Sequence, residues 1–467
     1  MSIDERPLVE AETIDGLPMP EDPAPVTEPE PKIKALPVEG AERVSSVDVI
    51  RGVALMGILA MNIVDFGWPG SVYSIPIMAP EYDWADQALW TFNHLLFDTK
   101  MMTLFSMLFG AGLVLMSDRA AGRGAKLAGT YYRRVGWLLA IGLVHSYLIW
   151  HGDILVLYAS CGLLLYPVRK WSARTLIIVG VCLNLLLVPL LIGGRFGVVP
   201  YMRRTAERVD VERKEGKKPG WWDEKVDTAW KQMNKNELPK REDFLTQVAA
   251  YRGTYWEIVK ARAPELLMGQ TIGFLLGGWT LVGGRMLIGM GLMKLGVFAA
   301  QRSRKTYLTM IAVGYGLGLP LLAFDAYREL ANGFFLGRRI WQVLDGWPLL
   351  SLFGSLPVVF GHIGLVMLIC QSGALPWLTR RLGAAGRMAL SNYLCDSIVF
   401  TTLFYGYGFD FFGSLHRPLL YALVLTMWTA QLLISPLWLE HFRFGPAEWL
   451  WRSLTYWKPQ PMRLRAA

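Results

Sequence analysis

Arg51 and Asn62 stand eleven positions apart in "RGVALMGILAMN", with mostly apolar residues between them. At about 100° per residue, eleven steps end about 20° past three full turns and about 16 Å along the axis, so both share one helix face. Asp48 lies one turn before Arg51, at ion-pairing spacing. Two readings stand for this face. The arginine snorkels while the asparagine bonds a neighbouring helix, or both groups line a functional path through the membrane. His94, in "WTFNHLLFDTK", falls at the level expected for Asn62. A histidine held by an amide can serve as a general base near neutral pH. Trp90, Phe92 and Phe97 also allow an ordinary interfacial histidine.

Two further stretches hold polar groups in apolar surroundings. "GLVHSYLIWHGDILVLYA" carries His145, Trp150, His151 and Asp153 where two spans meet. Asn62, His94, His145 and Asp153 could line one outward-facing cavity. "GRMALSNYLCDS" opens on Arg387, with Asn392 and Asp396 at i, i+4 on one face. Asp396 lies nearly two turns into a span, where a carboxylate either pairs within the bundle or lines a cavity. Arg133 and Arg134 begin another span, and Lys100 and Arg285 read as snorkelling cations. No spacing among these histidines favours a metal, so none is expected. Four cysteines, Cys161, Cys182, Cys370 and Cys395, lie in apolar runs without a CxxC pair, which indicates neither disulfides nor zinc.

The elements that must hold these groups are membrane helices. Of 467 residues, 53% are hydrophobic and only 18% charged, below the roughly 25% of soluble domains. Mean hydropathy is +0.31, and long apolar runs recur. The reading is an all-α polytopic transmembrane helical bundle of about ten spans. They lie near 48–66, 101–116, 131–150, 153–168, 174–193, 264–300, 306–324, 348–371, 389–408 and 419–440. The 264–300 stretch is read as one crossing with an interfacial first half, against the alternative of two crossings. Basic clusters such as "QRSRK" and "TRRLGAAGR" put both termini in the cytoplasm. The net charge of +9 therefore reflects loops, not nucleic-acid binding. Four regions follow: a disordered, acidic, Pro-rich tail over 1–42, an N-terminal bundle over 43–193, an extracytoplasmic charged insertion over 194–262, and a C-terminal membrane region over 263–460. No phosphate-cradling loop, dinucleotide fingerprint, nucleophile elbow or HExxH is present, so ATP hydrolysis is not expected.

"SVDVIRGVALMGILAMNI", "KMMTLFSMLFGAGL", "GRMALSNYLCDSIVF" and "SPLWLEHFRFGPAEWLWRSLTYWK" resemble the bacterial YeiB family over residues 43–460. That resemblance implies a multi-pass protein of the bacterial inner membrane with a domain of unknown function. The first span is more distantly similar to the heparan-alpha-glucosaminide N-acetyltransferase family and the membrane acyltransferase type 3 group. The latter carries arginine, ten residues and histidine, and the former has asparagine at the last place, as Asn62 stands here. An "F-x-H" before the second span is matched by Phe92, Asn93 and His94, after a longer connection than in those relatives. The resemblance implies an acyltransferase-type membrane fold with Asn62 and His94 as catalytic pair. It implies acyl-CoA, such as acetyl-CoA, as donor substrate, no tightly bound cofactor, and a hydroxyl or amine acceptor of the cell envelope. Arg51, Lys100, Arg133, Arg134 and Arg387 would hold CoA phosphates. His145, Trp150, His151, Asp153, Asn392 and Asp396 would line the acceptor site. The expected partners are the lipid bilayer, these substrates and a second copy in a homodimer. A small-molecule transporter or channel and a non-catalytic structural or sensory protein stand as alternatives.

Overall fold

The computed structural model describes residues 45–464 except 187, 190–192, 234–240, 332 and 335–346. The expected acidic tail over 1–42 lies outside the described residues. Seventeen helices are used below. They are α1 (Ser45–Gly67), α2 (Trp84–Leu96), α3 (Lys100–Gly122), α4 (Ala128–Val144), α5 (Leu155–Leu165), α6 (Ala173–Leu185), α7 (Val199–Lys214), α8 (Trp221–Met233) and α9 (Arg241–Tyr251). The rest are α10 (Tyr255–Met268), α11 (Trp279–Lys294), α12 (Arg304–Ala331), α13 (Trp347–Ser372), α14 (Pro376–Arg387), α15 (Ala389–Phe404), α16 (Arg417–His441) and α17 (Pro446–Tyr456). An isolated β-bridge joins Phe442 to Arg463, and no strand is present among the described residues.

α1 is the central post. Within its most apolar window 78% of residues are buried, against 22% in α12 and in α16, whose sides are left for lipid. α1 packs on α3, α14, α15 and α16. Glycines set the closest crossings. A Cβ at Gly52 would strike the Leu382 carbonyl, and one at Gly386 the Asp48 carbonyl, which draws α14 onto the start of α1. Gly110 and Gly289 do the same between α3 and α11, against Met286 and Met107. Small residues permit such backbone contact where lipid supplies no hydrophobic drive between helices.

Five helical segments among the described residues are long and apolar enough to cross a bilayer, or six if a bent pair counts as one. That pair is α10 with its π-helical continuation, meeting α11 at 63° in the stretch read as a single crossing. The span expected near 153–168 is a helix of only 11 residues, which at about 1.5 Å per residue does not reach across a hydrocarbon core of about 30 Å. In the one near 174–193, Ala173–Leu185 is helical, and residues 187 and 190–192 lie outside the described residues. Apolar composition located the first of these helices but overran both its ends, Leu155 and Leu165. The stretch near 131–150 is α4 followed by a π-helical turn, His145–Ile149. The one near 389–408 is the 16-residue α15. The charged insertion is helical, with α7 and α8 paired through Arg213–Asp227 at 2.7 Å and Lys231–Asp210 at 2.8 Å.

Candidate functional site

A concavity opens at the basic end of α1 and follows one face of that helix inward through Asp48, Arg51, Leu55 and Ile58. These positions step by three or four residues, the spacing of one helix face. Arg134 of α4, Arg387 at the end of α14 and Arg452 of α17 complete a basic mouth. Phe105, Phe109, Leu138 and Leu155 make apolar walls, and Ile154, Tyr158 and Tyr393 also line the cavity. Its volume is about 260 Å³.

The mouth is held by the C-terminal helix α17. Glu448 accepts the Leu390 N–H at 2.7 Å and the Ser391 N–H at 3.1 Å. It therefore supplies the acceptors that the first turn of α15 lacks, with its charge at the positive end of the helix. Trp451 donates to the Arg134 carbonyl at 2.8 Å and lies 3.7 Å under the Arg134 guanidinium. Arg133 turns away from the cavity and donates to the Thr455 carbonyl at 2.9 Å. Arg51 pairs with Asp48 at 2.8 Å and remains 26% exposed.

His94 belongs to a different cluster. α2 begins with a capping box, in which Asp83 accepts from Ala85 N–H and Asp86 N–H. After α2 the chain reverses at Thr99, whose φ is +61°. The reversal sets Lys100 beneath the end of α2, where its ammonium donates to the His94 carbonyl at 2.5 Å. Helix C-termini attract cations for this reason. Lys100 is 1% exposed and does not line the basic cavity, so it neither snorkels nor stands with the donor arginines. Arg285 does not snorkel either; it is 8% exposed within α11. His94 stacks on Trp90 and has Asp325 3.2 Å from Nε2, without the alignment of a hydrogen bond. Among the described residues no hydrogen bond joins Asn62 to His94, and neither lines the cavity. Asn62 sits half-buried one turn beyond Ile58 on the same face of α1.

The expected acceptor residues divide into three groups. His145 and Asp153 meet at 2.6 Å, both withdrawn from solvent. Trp150 stacks on Phe66 with centroids 4.0 Å apart, and His151 pairs with Asp65 at 3.0 Å. Asn392 and Asp396 turn toward α16, bonding Ser435 at 3.2 Å and Gln431 at 2.6 Å. Of the two alternatives for Asp396, pairing within the bundle is the one observed.

Sequence reasoning passed over four residues. Ser397 lies 2.8 Å from His145 Nε2. Asp65 follows Asn62 by three positions, a spacing that could have suggested a shared face. Asp325 and Arg452 come from distant helices, and no local pattern links them to His94 or Arg51.

Helices of this kind, packed around a basic-mouthed apolar cavity, define an all-helical membrane protein. Residues 292–458 match a family described as "Protein of unknown function (DUF418)". The chain is 31% identical over 432 residues to "Uncharacterized protein YeiB" of Escherichia coli (strain K12), covering 89% of this chain and 96% of that one. It is 29% identical over 428 residues to "Uncharacterized protein YxaH" of Bacillus subtilis (strain 168), covering 90% and 96%. No solved structure matches. The chain belongs to the YeiB family.

Proposed function

We propose that this protein is a membrane acyltransferase that takes an acyl group from cytosolic acyl-CoA and passes it to a hydroxyl or amine acceptor on the outer side of the inner membrane. The supporting observation is the cavity: arginines at one end and apolar walls within. Arg51, Arg134 and Arg387 would hold CoA phosphates by charge-assisted hydrogen bonds. At about 260 Å³ the cavity is smaller than the roughly 300–1,000 Å³ that holds a whole drug-sized ligand. It suits the pantetheine arm and a short acyl group, with the nucleotide left at the mouth. In this reading the basic end is cytoplasmic and both termini are inside. The lined face of α1 leads to Asn62 one turn beyond Ile58, about 6 Å further on. His94 remains the proposed base for the acceptor proton, with Asp325 to orient it.

A second reading, a transporter coupled to proton movement, is favoured by the buried Lys100 and Asp325 beside His94. Calorimetric titration of the purified protein with acetyl-CoA and longer acyl-CoAs separates the two. Arg51→Ala and Arg134→Ala are each expected to weaken binding by about 10- to 100-fold, the value of one charged hydrogen bond. Absence of binding by any acyl-CoA would remove the acyltransferase reading.

A further inference from the structure

We propose that Ser397 is an acyl-accepting nucleophile, with His145 as its base and Asp153 as the residue that positions the base. Three separate elements supply the three groups. Asp153 precedes α5, His145 opens the π-helical turn after α4, and Ser397 lies in α15. Asp153 Oδ2 is 2.6 Å from His145 Nδ1, and Ser397 Oγ is 2.8 Å from His145 Nε2. A carboxylate accepts, so a ring proton sits on Nδ1, and in the neutral ring Nε2 is the nitrogen that can receive the serine proton. The other oxygen of Asp153 accepts from the Val156 N–H at 2.8 Å, which fixes the carboxylate at the start of α5.

The serine makes the usual bond of its residue type and a shorter contact beside it. Hydroxyls in apolar helices bond the carbonyl four residues back. Thr401 and Thr402 follow that rule, each at 2.7 Å. Ser397 has its own such carbonyl, on Tyr393, at 3.2 Å, but its shorter contact is with the imidazole. His145 and Ser397 are 1% and 0% exposed, so water does not compete for either hydrogen bond. The Tyr393 ring lies 5.1 Å from the imidazole and also lines the cavity. It reaches both the proposed donor site and the imidazole beside the serine. On another side of the imidazole, the buried Trp150 indole has an N–H without a partner.

The inference rests on the acyl-donor reading for its substrate, a thioester. Ser397 Oγ would attack the thioester carbonyl carbon as its proton passes to His145 Nε2. The C–S bond then breaks, and the departing thiolate takes that proton. In this two-step route His145 takes the place of His94 as base: an acceptor hydroxyl or amine attacks the acyl-serine carbonyl carbon as its proton passes to His145 Nε2, the bond from that carbon to Ser397 Oγ breaks, and Oγ takes the proton.

Activated serines react with sulfonyl fluorides and fluorophosphonates, so reactivity can be read without any acyl-CoA. The full-length protein in detergent is treated with phenylmethanesulfonyl fluoride, with an alkyl fluorophosphonate and, separately, with acetyl-CoA, and the site is read by peptide mass. The expected result is an adduct on Ser397 that disappears in Ser397→Ala. Asp153→Asn and His145→Gln should slow its formation by at least about 100-fold, the value of general-base assistance. A serine that only ties helices together gives no adduct. Failure of both probes to modify Ser397 in folded wild-type protein overturns the proposal, even if acyl-CoA binds. Modification by the probes without acyl-CoA binding keeps the nucleophile and removes the donor reading.

Discussion

Two histidines lie deep in this protein and are held in different ways. His145 has an aligned partner on each ring nitrogen, Asp153 at 2.6 Å and Ser397 at 2.8 Å, and its side chain is 1% exposed. His94 has Asp325 at 3.2 Å off-axis and Asp98 at 4.0 Å, stacks on Trp90, and is 12% exposed. The first ring is held in one orientation. The second is steadied by a ring face and a backbone contact, and its nitrogens are less committed. A fixed ring suits activation of a nucleophile, whereas a loosely held imidazole beside Lys100 and Asp325 suits exchange of a proton with an arriving group.

The largest predicted effect tests that contrast through stability. His145→Ala leaves the Asp153 carboxylate buried without its ring partner. Breaking such a buried pair costs about 3–5 kcal/mol. His94→Ala removes a partly exposed ring, its stacking contact on Trp90 and the off-axis contact with Asp325, with an expected cost of about 1–2 kcal/mol. Thermal unfolding in a single detergent should therefore rank His145→Ala well below His94→Ala. Equal losses would mean that the alignment of the His145 contacts carries no energy and the contrast is geometric only.

How much of this was legible in the sequence depended on how local each cause was. α1 was readable because a single apolar run fixes its limits, 48–66 expected against Ser45–Gly67 observed. Its shared Arg51–Asn62 face follows from helix periodicity alone. The breaks before α5 and after it were readable from His151, Gly152 and Asp153 on one side and Arg169 and Lys170 on the other, but the helix between them, Leu155–Leu165, is shorter than the 153–168 expected. Arg134 and Arg387 were visible as basic span ends, but Trp451 and Arg452, which complete the mouth, sit on a helix over 300 residues from Arg134 with no pattern to join them. Ser397 was hidden for a chemical reason. A serine in an apolar helix reads as satisfied by its own backbone, and only the fold brings His145 close enough to compete.

The next effect separates the cations of the two regions. Arg134 lines the cavity, whereas Lys100 is committed to the His94 carbonyl. Lys100→Met should leave acyl-CoA affinity of the folded protein within about twofold, against the loss of about tenfold or more expected for Arg134→Ala. Titration of both variants checks this. A matching loss in Lys100→Met would join the two regions into one donor site and return Lys100 to the phosphate-binding group.

The smallest effect belongs to the charged insertion, where ion pairs lie in water. The Lys231 hydrogen bond holds the Asp210 carboxyl below its ordinary range, and the same bond, with Asp227 adding to it, raises the Lys231 ammonium. A lowered carboxyl contributes stability above its ordinary pKa and loses it as pH falls through the lowered value. A raised ammonium contributes below its ordinary pKa and loses it as pH rises through the raised value. The pairing of α7 with α8 is therefore complete between those limits and loosens at either extreme. Both groups are exposed, so salt screens the contact. Proteolysis of residues 199–233 should quicken modestly in acid, in high salt and in Lys231→Ala, with the unfolding of the membrane helices unchanged. An insertion whose loosening also lowered the melting of the His145 region would instead be a structural part of the bundle, tied in through Arg262 and its bonds to the carbonyls of Tyr147 and Ile149.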